Sequence, residues 1–335
     1  MRKLWVVLLL LALIWAATML VQGFSRGEHV RKSAVGVLLS LGEDIAPLEV
    51  GDLGQPQLEE LLDRVAGQMS QQPIQPMIDR VTKGVIPGLA GWELDVTATM
   101  AKVMLAEPGS LVQPILYPVE PESLWNYASH PIYQGNPAKQ QIALVINVAW
   151  GNEYLPEMLA ILQQADVKAS FFLVGRWAAN NPDLIRQIAA AGHEFGNHAY
   201  SDPHLPQLSR DKIAGEITRT SEVITAVTGQ EVKYFSPPYN DFNQTVLDTA
   251  AELGYLTVLC SLDTADWMRP GVDRIVQRIV PRAHNGAIVL MHPTEQTPAA
   301  LARIVRGLLD QGYQLVTISQ LLSPIAADYQ IVNAE

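Results

Sequence analysis

From Gln141 onward, short apolar runs alternate with amphipathic stretches, and no other feature narrows the possible folds as far. The runs are "IALVINV", "ASFFLV", "HEFGNH", "VKYFS", "LTVLCSL", "AIVLMH" and "QLVTIS". Between them lie helix-like segments such as "LPEMLAILQQA", "KIAGEITRTSEVITAV" and "ALARIVRGLLDQG". Seven strand candidates separated by helix candidates predict an α/β fold whose sheet is parallel and whose crossovers are right-handed. Most strands are continuous apolar runs, as expected when both faces of a sheet are covered. The sheet is then a doubly wound open one or an incomplete barrel.

The polar residues fall at one end of these strands. Asn147, His198, Ser236, Asp263 and His292 each stand at the end of a strand candidate or just after it. In β/α barrels the C-terminal strand ends form the active-site face, so five polar strand ends on one rim read as a site.

Four short stretches supply candidate chemistry. "GNHAYSDPHL" places His198, Asp202 and His204 within seven positions, and imidazole with carboxylate is an ordinary zinc-ligand set. The plain alternative is a polar loop in which His198 caps a strand and Asp202 begins a proline turn. "GAIVLMHPT" leaves His292 after a buried strand, where it serves as a general acid or base or as a structural residue. "SLDTADW" offers Asp263 and Asp266 beside Trp267; a carboxylate orients a histidine and raises its pKa. "FSPPYND" is a stiff turn that either presents Tyr239 and Asp241 to a ligand or merely connects two elements.

The amino terminus carries its own signal. Arg2 and Lys3 precede an uncharged run from Leu4 to Phe24, long enough to cross a bilayer as a helix. The run exceeds a signal-peptide core and lacks a clear small-x-small site, which favours an uncleaved signal-anchor at 1–24 over secretion after cleavage. A polar stalk at 25–33 follows, then a small α/β module at 34–118. Leu58, Leu61, Leu62 and Val65 there share one helical face, and a helix is expected to open at Asp95 or Thr97. Residues 119–138, rich in proline and aromatics, read as a surface linker; 139–322 form the main domain and 323–335 a tail. The net charge of −11, with no basic stripe past residue 32, excludes nucleic acid as a partner. The single cysteine, Cys260, excludes an intramolecular disulfide.

In this order the motifs resemble those of the polysaccharide deacetylase family, carbohydrate esterase family 4, also called the NodB-homology domain. "IALVINVAWGNEYLPEML", "GHEFGNHAYSDPHLPQLS", "YFSPPYN", "LDTADW" and "GAIVLMHPTEQT" are similar to its five motifs, over roughly residues 139–322. The resemblance implies a deformed (β/α) barrel and metal-dependent removal of acetyl groups from N-acetylated sugars. It implies a divalent ion, often zinc, held by one Asp and two His, a second Asp as base, and the His of the last motif protonating the leaving amine. Carried onto this chain, the family pattern matches His198, Asp263, Asp266 and His292, with Tyr239, Trp267 and Trp150 as sugar-binding candidates.

The departures are as informative. Asn147 and Val148 stand where the family has adjacent catalytic and metal-binding Asp residues, Asp202 replaces the second metal His, and Ser236 replaces an Arg. A carboxamide takes no proton near neutral pH, and an isopropyl group ligates nothing. Asp202 and His204 could complete a rearranged His/Asp/His set with His198, and Asp241 or Glu153 would then have to serve as base. The expectation is a membrane-anchored, extracytoplasmic protein that recognises N-acetylated glycan, peptidoglycan foremost, with weak or absent deacetylation. The alternative is an active N-deacetylase on the rearranged metal site. The upstream "IPGLAGWELDVTATMAKVML" is similar to segments of peptidoglycan-binding modules.

Overall fold

The structure is a computed structural model describing residues 36–41 and 46–325. The expected anchor at 1–24, the stalk at 25–33 and most of the tail lie outside these residues. No helix among the described residues is long and apolar enough to cross a membrane.

Eight parallel strands form the main sheet: β1 (Gln141–Val148), β2 (Ser170–Leu173), β3 (Glu194–Asn197), β4 (Tyr234–Phe235), β5 (Leu256–Thr257), β6 (Leu262–Asp263), β7 (Ile288–Met291) and β8 (Gln314–Val316). Their order is β5-β4-β3-β2-β1-β7-β6. β8 pairs with the start of β1, Gln314 opposite Gln141, while β2 pairs with its end, Val148 opposite Leu173. Helices join successive strands except β5 and β6, including α1 (Leu155–Gln164), α2 (Arg210–Thr228) and α3 (Thr297–Asp310). This is a curled, incompletely closed (β/α) sheet, and the alternation in the sequence is realised as a parallel fold.

The pleat of β1 separates two apolar layers. Ile142, Leu144, Ile146 and Val148 face the helices with Leu155, Met158 and Leu162 of α1. Ala143 and Val145 face inward with Phe172, Leu256, Ile288 and Leu290. Alternation along β1 therefore sends Asn147 inward and Val148 toward the helices.

The run "LTVLCSL" was expected to be one strand and forms two. β5 and β6 lie on either side of the opening in the sheet, and the backbone between them is claimed by other elements. Leu259 N–H donates to the Ile132 carbonyl at 2.8 Å, and Ser261 N–H to the Ile288 carbonyl at 3.1 Å.

The Pro- and aromatic-rich segment expected to be a surface linker is instead structural where it meets that opening. Ile132 is fully buried and its N–H donates to the Thr257 carbonyl at 2.8 Å; Gly135 N–H donates to the Gly286 carbonyl at 2.8 Å. Residues 131–136 thus stitch β5 to the start of β7. Lys139, also buried, caps the C-terminus of the last helix (Ile318–Leu322) through three carbonyls, of Gln320, Leu321 and Ser323, each at 2.9 Å.

The described residues divide into two compact units, one holding 65–95 and 115–325 and the other 36–64 and 96–114. The boundary therefore differs from the expected single module at 34–118. The smaller unit pairs Leu38–Leu39 with Leu48–Glu49 and with Leu111–Val112 in a three-stranded sheet, and contains the helix Val96–Leu105. The expected helix over Leu58–Val65 is observed as Gln55–Met69, with Leu58 and Leu62 fully buried.

Candidate functional site

The polar strand ends converge as expected on the C-terminal rim. Asn147 lies one residue from the end of β1, His198 directly follows β3, Ser236 follows β4, Asp263 ends β6, and His292 follows β7. The loops holding them are strained. Six of the eight non-glycine residues with positive φ among the described residues are Ala199, Asp202, Tyr239, Asn240, Ala265 and Arg269, all in loops after β3, β4 or β6. Such backbone costs about 1–3 kcal/mol per residue and persists where surrounding contacts impose it.

His198 is buried, and its tautomer follows from its partners. Nδ1 lies 2.7 Å from the Ser236 carbonyl, an acceptor only, so Nδ1 carries the proton and donates. Nε2 then offers its lone pair to the Asn147 side-chain amide, Nδ2 at 3.4 Å. Burial pushes the imidazole down to about 4, against the opposing pull of Asp202 and the Ser236 carbonyl; His292 nearby pushes the same way as burial. His198 is therefore neutral, and its one ligating nitrogen faces a carboxamide N–H. The remaining Asn147 oxygen is buried without a hydrogen-bond partner among the described residues.

Asp266 and His292 form a second, fully organised pair. Asp266 is completely buried, and its carboxylate accepts four hydrogen bonds. Oδ1 takes Nδ1–H of His292 at 2.9 Å and Trp267 N–H at 2.9 Å. Oδ2 takes His292 N–H at 2.7 Å and the Thr297 hydroxyl at 2.8 Å. This fixes the His292 ring and leaves Nε2 as its free polar atom. Asp263, a candidate of equal standing in the sequence, makes a local turn, accepting Ala265 N–H at 2.7 Å. Its carboxylate lies beside Cys260, whose thiol burial pushes up to about 12 with a further contribution from Asp263. No hydrogen bond joins Asp263 to His292 among the described residues.

The proposed metal trio is not brought together. His204 is exposed and engaged elsewhere: Nδ1 pairs with Asp241 Oδ2 at 2.9 Å, and its ring stacks on Tyr239 at 4.5 Å between centroids. Asp202 accepts the Tyr239 hydroxyl at 3.0 Å. Among the described residues no group of three His, Cys, Asp or Glu side chains is placed to hold a metal ion. The donor chemistry explains this. His198 and Asp202 are the ligands that remain near one another, Val148 is packed in the helix-facing layer, and Asn147 directs an N–H at the nitrogen a metal would take. The residues present do not fit a three-ligand metal centre.

Aromatic side chains complete the rim. Trp150 is 46% exposed, Tyr239 61% and Trp267 57%. Trp150 lies nearly parallel to His292, at 10° and 6.3 Å between centroids. Gly151 makes that placement possible: its φ is +81°, and a Cβ would come 2.0 Å from the Pro293 carbonyl oxygen. Glu153 is ordinary surface. The signal that sequence reading missed is the Thr297 hydroxyl, which needs the start of α3 to be folded against β7 before it can reach Asp266.

Comparison with known proteins places these observations. The family model described as "Polysaccharide deacetylase" matches residues 134–258. The Bacillus subtilis protein YlxY, itself uncharacterized, is 39% identical over 271 residues, covering 80% of this chain and 83% of that protein. A peptidoglycan-N-acetylglucosamine deacetylase of Bacillus cereus is 39% identical over 175 residues, covering 50% of this chain and 82% of that one. Among solved structures, a CE4 family pseudoenzyme from Bacillus anthracis is 38% identical with a TM-score of 0.67, covering 80% of this chain and 95% of that one. A mutant of that pseudoenzyme, described as having restored enzymatic activity, matches equally well, with a TM-score of 0.67.

Proposed function

The chain belongs to the polysaccharide deacetylase family, and from that membership and its rim geometry we propose that it recognises N-acetylated glycan with weak or absent hydrolysis. Peptidoglycan is the favoured glycan, because relatives of this chain are named for deacetylating it. We further propose that residues 1–24 hold the protein at the membrane with its bulk outside the cytoplasm, which rests on the sequence alone.

The observation that carries the reading is the contact between Asn147 Nδ2 and His198 Nε2. The position that would supply a base holds a group with no basic lone pair, and that group occupies the nitrogen that would ligate. What the rim retains suits binding. Trp150, Tyr239 and Trp267 offer exposed ring faces to the apolar faces of sugars. Asp266 holds the His292 ring so that Nε2 meets a hydroxyl or acetamido group at a fixed place, with little conformational entropy left to lose.

One observation favours the second reading, an active N-deacetylase. The Asp266–His292 pair is built as a proton-donating pair needs to be, with the imidazole oriented by a buried carboxylate. The two readings separate in one experiment: incubation with N-acetylated peptidoglycan, measuring retention and released acetate together. Retention without acetate release supports recognition. Acetate release abolished by His198→Ala supports the enzyme, and failure to bind any N-acetylated glycan overturns the first reading.

A further inference from the structure

At the opposite end of the barrel, where the strands begin, two cavities adjoin. One, of about 430 Å³, is lined by Lys168, His193, Glu194, Gln230 and Gln320 among others. The other, of about 370 Å³, is lined by Leu124, Trp125, Pro121 and Leu256 among others. Both include Tyr234 and Ser319, so they form one groove with a polar half and an apolar half. Each half is within the ~300–1,000 Å³ usual for small-molecule sites.

The polar half has hydrogen-bonding capacity that the protein does not use. Lys168 lies across Gly192: a Cβ there would meet Lys168 Cε at 3.6 Å and Nζ at 3.9 Å, ordinary contact distances that place the ammonium over this end of the groove. Its ammonium forms no ion pair among the described residues, and the Tyr234 hydroxyl no hydrogen bond. Burial pushes that hydroxyl up out of the titrating range, with the Glu194 charge adding to it, so it stays a protonated donor. Glu194, by contrast, accepts from the Ser170 hydroxyl at 2.6 Å and Ser319 N–H at 3.2 Å. Lys233 is paired with Glu231 at 3.1 Å.

This lining selects a ligand class. Charges of both signs alternate with amide and hydroxyl groups, so the groove has no single-sign field to hold a simple anion or cation. Closely spaced donors and acceptors beside half-exposed aromatic and proline faces match a molecule with hydroxyls around its edge and C–H groups on its faces. We infer that this groove is a second saccharide-binding site, remote from the rim. It runs from Lys168 and Gln320, through Tyr234, to Trp125. It does not depend on what the rim binds; two sites on opposite ends of one barrel would raise avidity for a polymer without any new contact at either.

The test is calorimetric titration of the full chain with chitotetraose, using two variants whose thermal melts match the parent. Lys168→Ala with Gln230→Ala removes two groove side chains that make no hydrogen bond among the described residues; Tyr239→Ala with Trp267→Ala removes two rim faces. The inference expects a binding event that survives in the rim variant and weakens at least tenfold in the groove variant. It is overturned if the groove variant binds as the parent does, or if no binding remains once the rim is altered. The rim reading fails separately, if the rim variant binds unchanged.

Discussion

Asp266 is a buried anion whose two oxygens accept four hydrogen bonds, two of them from His292. Replacing one charged acceptor oxygen by an amide nitrogen puts a donor where donors already point, and breaking a buried, fully bonded charge costs roughly 3–5 kcal/mol. Asp266→Asn is therefore expected to destabilise the protein by about 3 kcal/mol. Asp263 accepts one backbone N–H in a turn, which an Asn oxygen also does, so Asp263→Asn is expected to cost under about 1 kcal/mol. Urea denaturation of both variants checks this, and equal losses would contradict the assignment. The sequence shows both carboxylates in "LDTADW" but not which one reaches His292. That choice is made by Ala265, whose φ of +49° turns the chain between them. The rearranged trio misleads for the same reason: positive φ at Ala199 and Asp202 sets directions that spacing alone does not encode.

Whole strands were legible wherever burial on both faces makes a run continuously apolar, as in β1, β2 and β7. Connections were less so. "LTVLCSL" has the composition of one strand, yet β5 and β6 are separated by an opening that the Ile132 segment fills. That filling is a long-range contact with no local pattern, and prolines nearby make the segment read as a loop. Since Ile132 is fully buried and its backbone bonds to Thr257 and Leu259, truncating it leaves a cavity beside the seam. Ile132→Ala is expected to lower stability by about 3 kcal/mol, within the 2–5 kcal/mol typical of such truncations. A loss below 1 kcal/mol by denaturant titration would mean the segment lies on the surface after all.

At the scale of the whole molecule, acid lability has an identifiable source. Burial, with a smaller push from Lys168, holds His193 neutral down to about 4, whereas an unfolded histidine titrates near 6.5. The unfolded chain binds more protons between these values, so stability is unaffected above about pH 6.5 and falls as pH drops through that window. From 6.5 to 5 the loss from this one group is about 2 kcal/mol. His193→Asn, whose side-chain oxygen stands at the place of Nδ1 and keeps an acceptor for Ala169 N–H, is expected to flatten the pH dependence of the urea midpoint by that amount. An unchanged profile would contradict it. The most direct measurement concerns the rim: zinc bound per chain after loading and dialysis, for the parent protein beside His198→Ala. With the His198 ligating nitrogen facing the Asn147 amide, the parent is predicted to retain no more zinc than the variant. One zinc per chain, lost on His198→Ala, would contradict the account and return the site to metal-dependent chemistry.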